Sequence, residues 1–164
     1  MQCGITFNNY LSITMKTTIK FKKVKIDQNG CHLLIRMKLN RKTVWLVLDT
    51  GASQTVLDYH VANSLSKNKA LKMDRASSRG VGGEHLQSHL LMVEEASLGD
   101  LVIYDYHFVL LDLQHVNSMY QSIGIQPVQG VLGSDLLNRY KAVIDFKKKE
   151  LVLTFNKAHK RKST

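Results

Sequence analysis

A carboxylate directly follows an apolar run in the first third of the chain. Asp49 comes after Val47 and Leu48 and is followed by Thr50 and Gly51. Because a buried strand is held rigidly by its neighbours, a carboxylate at the strand's end is held rigidly as well. The Thr50 hydroxyl can form a hydrogen bond across an interface, and Gly51 permits the close approach of another backbone. These residues form a candidate site for acid and base chemistry.

Strands predicted from the spacing of apolar residues lead up to this triplet. A tight Asn-Gly turn is expected to join the arms of a first hairpin, Lys20 to Asp27 and Gly30 to Leu39. Thr43 to Leu48 is a mainly apolar run, which predicts a strand buried on both faces. Val56 to Lys67 has apolar residues at roughly helical spacing, which predicts one or more turns of helix.

Glycines mark a predicted hairpin tip in the middle of the chain. Gly80, Gly82 and Gly83 flank Val81 between two extended stretches. Because glycine removes the steric limit on backbone angles, this segment is predicted to be a mobile flap. The short strands predicted after it are Leu86 to Ala96, Leu101 to Ile103 and His107 to Leu113, with a turn near Tyr104-Asp105.

The last part of the chain predicts a short helix and a closing hairpin. After Gly130 to Gly133, a helix is expected over Asp135 to Arg139, with Ser134 as its N-cap. Ala142 to Phe146 and Leu151 to Phe155 are expected to be the hairpin arms, since the charged residues between them are tolerated only at an exposed turn.

With these motifs in this order, the sequence resembles the aspartic protease superfamily, and more closely its single-lobed retroviral-type (retropepsin-like) members, including their bacterial relatives. The matching parts are the Asp49-Thr50-Gly51 triplet, the glycine-bearing flap at Gly80 to Gly83, and the Val131-Leu132-Gly133 element. The resemblance covers about Lys20 to Phe155. It implies an all-β barrel with one or two short helices and the activity of an aspartic endopeptidase on extended polypeptide substrates.

Acid protease chemistry needs two carboxylates a few ångströms apart that share one proton, because two like charges so close cannot both ionise. One carboxylate takes a proton from the attacking water, and the other donates a proton to the peptide carbonyl oxygen. This chemistry requires no covalent intermediate, and neither a metal nor a cofactor is expected here.

The chain contains one such triplet, so a second aspartate must come from elsewhere. Asp135 and Asp145 are set aside, because one belongs to a predicted helix start and the other to a hairpin strand, and neither has a Thr-Gly turn. The simplest expected source of the second carboxylate is a C2 homodimer, in which a residue near the twofold axis meets its own copy. The resemblance implies the same pairing of Asp49 with Asp49.

The resemblance also implies roles for the residues around Asp49. Thr50 would brace the two loops across the axis, Gly51 would offer its carbonyl to the substrate backbone, and Gly80 to Gly83 would close over the substrate. Ala52 stands where pepsin-type members usually carry a hydroxyl residue that supports the ionised carboxylate. Activity is therefore expected to extend towards mildly acidic or near-neutral pH.

The size of the chain, 164 residues, is that of a single domain. We expect this domain over residues 20–156, an N-terminal extension over residues 1–19 that can be disordered, and a basic tail over residues 157–164. An alternative function is a non-catalytic dimeric module of the same fold that binds peptides or a partner protein and keeps Asp49 for its turn.

Charge and cysteine content bear on partners and compartment. The net charge is +10, but the lysines cluster at edges and tails and no aromatic-plus-basic platform is apparent, so no nucleic-acid partner is expected. A nucleic-acid-associated protein, with steeply salt-dependent binding, is the second alternative. Two cysteines in no metal or redox spacing, and an N-terminus that fits neither a signal peptide nor a membrane span, predict a cytoplasmic protein without a membrane partner.

Two histidines have a spacing that can bind zinc on a helix. His85 and His89 are four residues apart, but their place beside the glycine-rich segment predicts a strand, and no third ligand is evident. The sequence therefore predicts no metal site.

Overall fold

The structure, a computed structural model, describes residues 13–65, 73–79 and 85–156. Strands dominate these residues. They are β1 (Thr14–Lys20), β2 (Lys22–Lys25), β3 (Cys31–Leu39), β4 (Lys42–Leu48), β5 (Val56–Asp58), β6 (Met73–Arg79), β7 (His85–Leu98), β8 (Leu101–Leu111), β9 (Gly130–Leu132), β10 (Val143–Asp145) and β11 (Glu150–Asn156). The helices are α1 (Tyr59–Leu65), α2 (Gln114–Ser122) and α3 (Ser134–Arg139). None of the helices in these ranges is long and apolar enough to cross a membrane.

Most of the described strands form one sheet that closes on itself. Its order is β2-β3-β4-β9-β5-β8-β7-β6, and β3 also pairs with β7 through Lys38–Ser97 and Leu39–Ala96. Neighbouring strands are antiparallel except for the parallel pairs β4–β9 and β5–β8. The pairing of β3 with β7 closes the barrel, which confirms the predicted all-β barrel with short helices.

The barrel interior is filled by inward-facing side chains. Ile35, Met37 and Leu39 of β3 are fully buried, because alternate residues of a strand share one face. Leu46 of β4 and Phe108 of β8 are fully buried with them. Burial stabilises the fold by about 1.5–3 kcal/mol for each such side chain. The core thereby fixes β4 and the point at which this strand ends.

Helix α2 was not predicted, and it changes the surroundings of β4. Its Tyr120 is fully buried against Leu34 and Val128, and Trp45 and Val47 pack against this cluster. β4 is therefore buried on one face and half-buried on the other. The predicted burial on both faces is therefore complete on the inner face and partial on the outer one, because α2 covers the outer face only in part.

The first hairpin (β2–β3), the closing hairpin (β10–β11) and helix α3 are confirmed, whereas three local predictions need correction. The stretch predicted as helix begins as strand β5, and α1 starts at Tyr59. Strand β8 continues through Tyr104 and Asp105, because Asp105 adopts a positive φ of 51° while its neighbours keep their pairs with β7. The N-cap of α3 is Gly133 and not Ser134, with no side-chain cap.

Strand β1 extends the paired structure further towards the N-terminus than the sequence indicated. Residues 14–19, which the sequence placed in an extension, pair with β11 from Thr14–Asn156 onwards, and β10 pairs with the other side of β11. Thr17 is buried in β1; its Oγ1 donates to Asp100 Oδ2 (3.1 Å) and accepts from the Asp100 N–H (3.0 Å). Residues 1–12 and 157–164 lie outside the described residues.

Thr17→Val should lower the free energy of unfolding by about 1–3 kcal/mol, because it leaves the Asp100 amide and carboxylate without a partner in a part-buried place. Thr18→Val is the matched control, because Thr18 is exposed on the same strand, and its effect should stay within about 0.5 kcal/mol. Denaturant unfolding measures both variants. Equal effects of the two substitutions would contradict the role of β1 in the domain.

Candidate active site

Asp49 lies immediately after β4, at the strand end where the sequence placed it. Its backbone N–H donates to the Leu132 carbonyl at 3.1 Å, directly after the last register pair of β4 with β9. Its side chain is exposed, and Oδ1 accepts a hydrogen bond from the Gly51 N–H at 2.8 Å. The barrel thus presents a solvent-accessible carboxylate from a fixed backbone position.

A second stretch of backbone runs along the turn that carries Asp49. We call residues 49–55 the aspartate turn and residues 132–135 the supporting segment. The Ser134 N–H donates to the Ala52 carbonyl at 2.7 Å. A Cβ built on Gly133 would lie 2.5 Å from the carbonyl carbon and oxygen of Gln54, so only glycine fits there.

The carboxylate of Asp135, at the end of the supporting segment, is fully engaged. Its Oδ2 accepts hydrogen bonds from the Thr55 N–H at 3.0 Å and the Tyr106 hydroxyl at 2.6 Å. Its Oδ1 accepts from the Thr55 hydroxyl at 2.7 Å and the Leu136 N–H at 2.8 Å. The Thr55 hydroxyl in turn accepts a hydrogen bond from the Gly133 N–H at 3.0 Å.

These contacts shift the pKa values of both ionisable partners. Burial alone would raise the pKa of Asp135, but the hydrogen bonds from Thr55, Tyr106 and Leu136 outweigh burial and hold it below its ordinary value. Burial, and then the hydrogen bond to Asp135, raise the pKa of Tyr106. Asp135 is therefore ionised and Tyr106 is a neutral donor at mildly acidic and neutral pH.

Both aspartates that the sequence analysis set aside have partners of their own. Asp135 is held as described above. Asp145 Oδ1 accepts from the Lys148 N–H at 2.8 Å, and its Oδ2 lies 3.9 Å from the Lys148 ammonium nitrogen in the β10–β11 turn. These partners account for Asp135 and Asp145 without any contact to Asp49.

Thr50 borders an open cleft of about 210 Å³. The other residues that line this cleft belong to α3, β10 and their connection, and they are Leu137, Asn138, Lys141, Ala142 and Ile144. Two large apolar side chains of the closing hairpin are exposed, Val143 at 60% and Phe146 at 58%. An open cleft lined by residues of α3, β10 and their connection therefore adjoins the aspartate turn at Thr50.

The predicted flap tip, Gly80 to Gly83 with Val81 between them, lies outside the described residues. The strands on either side are described, and β6 pairs with β7 from Met73–Leu91 to Arg79–His85. A hairpin at this position is therefore confirmed, and the role of its tip stays a prediction. His85 and His89 both lie on β7, as the sequence predicted.

Among the described residues, one group of side chains is close enough to hold a metal ion. The ligand atoms of Asp58, His60 and Asp112 lie within 4.8 Å of one another. Asp58 is buried and accepts hydrogen bonds from the His60 N–H at 3.0 Å and the Asn117 amide at 3.3 Å. Asp112 and His60 are exposed, and Asp112 accepts from the Gln114 N–H at 2.8 Å. Hydrogen bonds of the protein already account for the positions of both carboxylates.

Sequence reasoning missed Thr55 and Tyr106 as parts of the site. Tyr106 packs edge-to-face on Phe108, with ring centroids 4.8 Å apart, which is what an alternating strand pattern predicts. The Tyr106 hydroxyl also donates a hydrogen bond to Asp135, and the strand pattern does not predict this contact. For Thr55 the sequence offered one signal, a hydroxyl residue next to the apolar stretch that becomes β5.

Comparisons with known proteins agree with this geometry. A family model described as aspartyl protease matches residues 35–136, which is more than half of the chain. A retropepsin-like aspartic protease from Rickettsia conorii is similar in its crystal structure, with a TM-score of 0.52, 19% identity, and coverage of 90% of this chain and 96% of that one. The retroviral protease-like domain of Ddi1 from Leishmania major has a TM-score of 0.50, 19% identity, and coverage of 74% and 87%. No curated protein matches the sequence.

Gly133→Ala should push the aspartate turn away from the supporting segment. The added Cβ would meet the Gln54 backbone at 2.5 Å, and because a backbone cannot swing aside, the free energy of unfolding should fall by about 1–3 kcal/mol or more. Gly124→Asn is the control, because nothing lies within 4 Å of Gly124 and asparagine tolerates its positive φ of 73°. Urea unfolding measures both. A Gly133→Ala protein as stable as the wild type would contradict the close approach.

Proposed function

The chain belongs to the aspartyl protease family, and we propose that it acts as a homodimeric aspartic endopeptidase. The observation that carries the proposal is Asp49, an exposed carboxylate fixed at the end of a barrel strand within an Asp-Thr-Gly turn. A shared fold does not by itself imply a shared activity, so the proposal rests on this residue and its setting.

In the proposed enzyme, Asp49 of one chain faces Asp49 of a second chain. Two carboxylates so close cannot both ionise, so they share one proton. The ionised carboxylate takes a proton from water as the water attacks the peptide carbonyl, and the protonated one donates its proton to the carbonyl oxygen. The carboxyl group that took the proton from water then donates it to the amide nitrogen, the other carboxylate takes a proton from a hydroxyl group of the tetrahedral intermediate, and the carbon–nitrogen bond breaks. These steps need no covalent link to the protein.

Several features support a twofold pairing of chains around Asp49. One chain supplies a single Asp-Thr-Gly triplet. Val143 and Phe146 of the closing hairpin are large apolar side chains that are exposed in the single chain, and a partner chain would cover such side chains. In a C2 dimer a patch near the axis meets its own copy. Thr50 would then brace the two aspartate turns across the axis.

The proposed substrate is an extended polypeptide that binds as an added strand. Gly51 is exposed beside Asp49, and its carbonyl would accept a hydrogen bond from the substrate backbone. Gly80 to Gly83, at the tip of the β6–β7 hairpin, would close over the peptide. Ala52 supplies no hydroxyl group next to the carboxylate, so activity would extend towards mildly acidic or near-neutral pH.

Asp49→Asn should abolish peptide cleavage, because asparagine keeps the shape of the side chain but can neither take up nor release the proton. Acid–base catalysis contributes about 10²–10⁴-fold, and loss of both shared carboxylates should remove at least that factor. Cleavage of a diverse peptide library from about pH 3 to about pH 8, with and without a pepstatin-like statine inhibitor, measures the effect.

Asp105→Asn is the matched control for this experiment. Asp105 is exposed and has a positive φ of 51°, which asparagine tolerates, so the same chemical change should leave cleavage unaltered. If the wild type is dimeric and cuts nothing, or if Asp49→Asn cuts as fast as the wild type, the enzyme proposal fails. A peptide-binding module that keeps Asp49 for its turn would then be favoured.

A further inference from the structure

Every residue of the supporting segment forms a hydrogen bond with the aspartate turn. The contacts, in chain order, are Leu132 O with the Asp49 N–H, the Gly133 N–H with Thr55 Oγ1, the Ser134 N–H with Ala52 O, and the Asp135 carboxylate with the Thr55 N–H and hydroxyl. Asp135 is the one member of this series that contacts the turn through its side chain. Its carboxylate also reaches Tyr106 on β8.

We propose that Asp135 and Tyr106 are positioning residues, which act through Thr55 to hold the aspartate turn and thereby the Asp49 carboxylate in place. The effect on catalysis rests on the proposed peptidase function. The effect on the turn does not, and it can be measured separately. Neither residue needs to touch the substrate for this role.

Four hydrogen-bond donors converge on the two carboxylate oxygens of Asp135. This arrangement requires an ionised carboxylate at position 135. These donors are the Thr55 N–H, the Thr55 hydroxyl, the Tyr106 hydroxyl and the Leu136 N–H. An ionised carboxylate has acceptor sites only, whereas an asparagine amide would turn two of its own donors towards one pair of these groups. Because Thr55 is only 1% exposed, water cannot easily replace a lost partner.

Although burial raises the pKa of Asp135, the hydrogen bonds from Thr55, Tyr106 and Leu136 hold it below its ordinary value of 3.8, so the carboxylate is charged at most pH values. The charged and titratable groups that face Tyr106 of β8 are Asp135, Arg139 at the end of α3, and Tyr140 directly after that helix. For a carboxylate with a lowered pKa in the folded state, the stabilisation is complete above the ordinary value and is lost as pH falls through the lowered one. Tyr106→Phe removes one donor, so this loss should begin at a higher pH.

The experiment compares Asp135→Asn and Tyr106→Phe with matched controls, which make the same two chemical changes at nearby residues. The controls are Asp105→Asn and Tyr104→Phe, whose side chains are exposed on the same strand as Tyr106. Two quantities are measured in the full-length protein: kcat and KM for a cleaved peptide, and amide hydrogen exchange at Asp49 and Ser134. The controls should change neither quantity.

Asp135→Asn should lower kcat about 100-fold with a much smaller change in KM, because a displaced catalytic group slows the reaction more than it weakens binding. Exchange at the Asp49 and Ser134 amides should speed up about tenfold or more, while the β1–β11 amides keep their protection. Tyr106→Phe keeps the ring contact with Phe108 and serves if Asp135→Asn fails to fold. Its kcat should fall off at a higher pH than that of the wild type on the acid side.

Faster exchange to the same degree in β1–β11 would make Asp135 a residue of overall stability and would overturn the proposal. Unchanged kcat and unchanged exchange in both variants would overturn it as well. If the wild type cleaves no peptide, the proposed function fails, and the exchange data alone then decide whether Asp135 and Tyr106 hold the turn.

Discussion

The candidate site depends on a close contact between two backbones at Gly133. Because this residue has no Cβ, the supporting segment can lie against Gln54 at a distance that any other side chain would block. This contact allows the Leu132 carbonyl and the Asp135 carboxylate to accept hydrogen bonds from the aspartate turn, and the Ser134 N–H to donate one to it. The position of Asp49 is therefore set by a close backbone contact, and the side chains of Asp135 and Thr55 add hydrogen bonds to it.

The barrel brings the two sides of this contact together through β9. This strand lies between β4 and β5, so the strand that leads into the supporting segment pairs with the strands before and after the aspartate turn. The parallel pairing of β4 with β9 places Leu48 beside Leu132. The antiparallel pairing of β5 with β9 extends to Gly130. Fold and candidate site share the same strands, so changes that weaken β9 should also disturb Asp49.

Local patterns in the sequence were sufficient to predict the triplet, the first and closing hairpins, and α3, because each of these is encoded by neighbouring residues. Helix α2 was missed because Tyr120 alone among its residues is fully buried, and β1 because Thr17 is its one fully buried residue. The bonds that hold the turn join residues far apart in sequence, 80 residues for Thr55 with Asp135 and 29 for Tyr106 with Asp135. No local pattern specifies such contacts.

The shared pair of Asp49 carboxylates is the central claim, and mixed dimers test it most directly. Wild-type and Asp49→Asn chains would be refolded together in varied ratios at constant total protein, and peptide cleavage measured. If every site needs an intact Asp49 from each of two chains, activity falls with the square of the wild-type fraction, to about one quarter at equal mixing. A linear fall, to about one half at equal mixing, would mean that each chain carries a complete site and would contradict the dimeric mechanism.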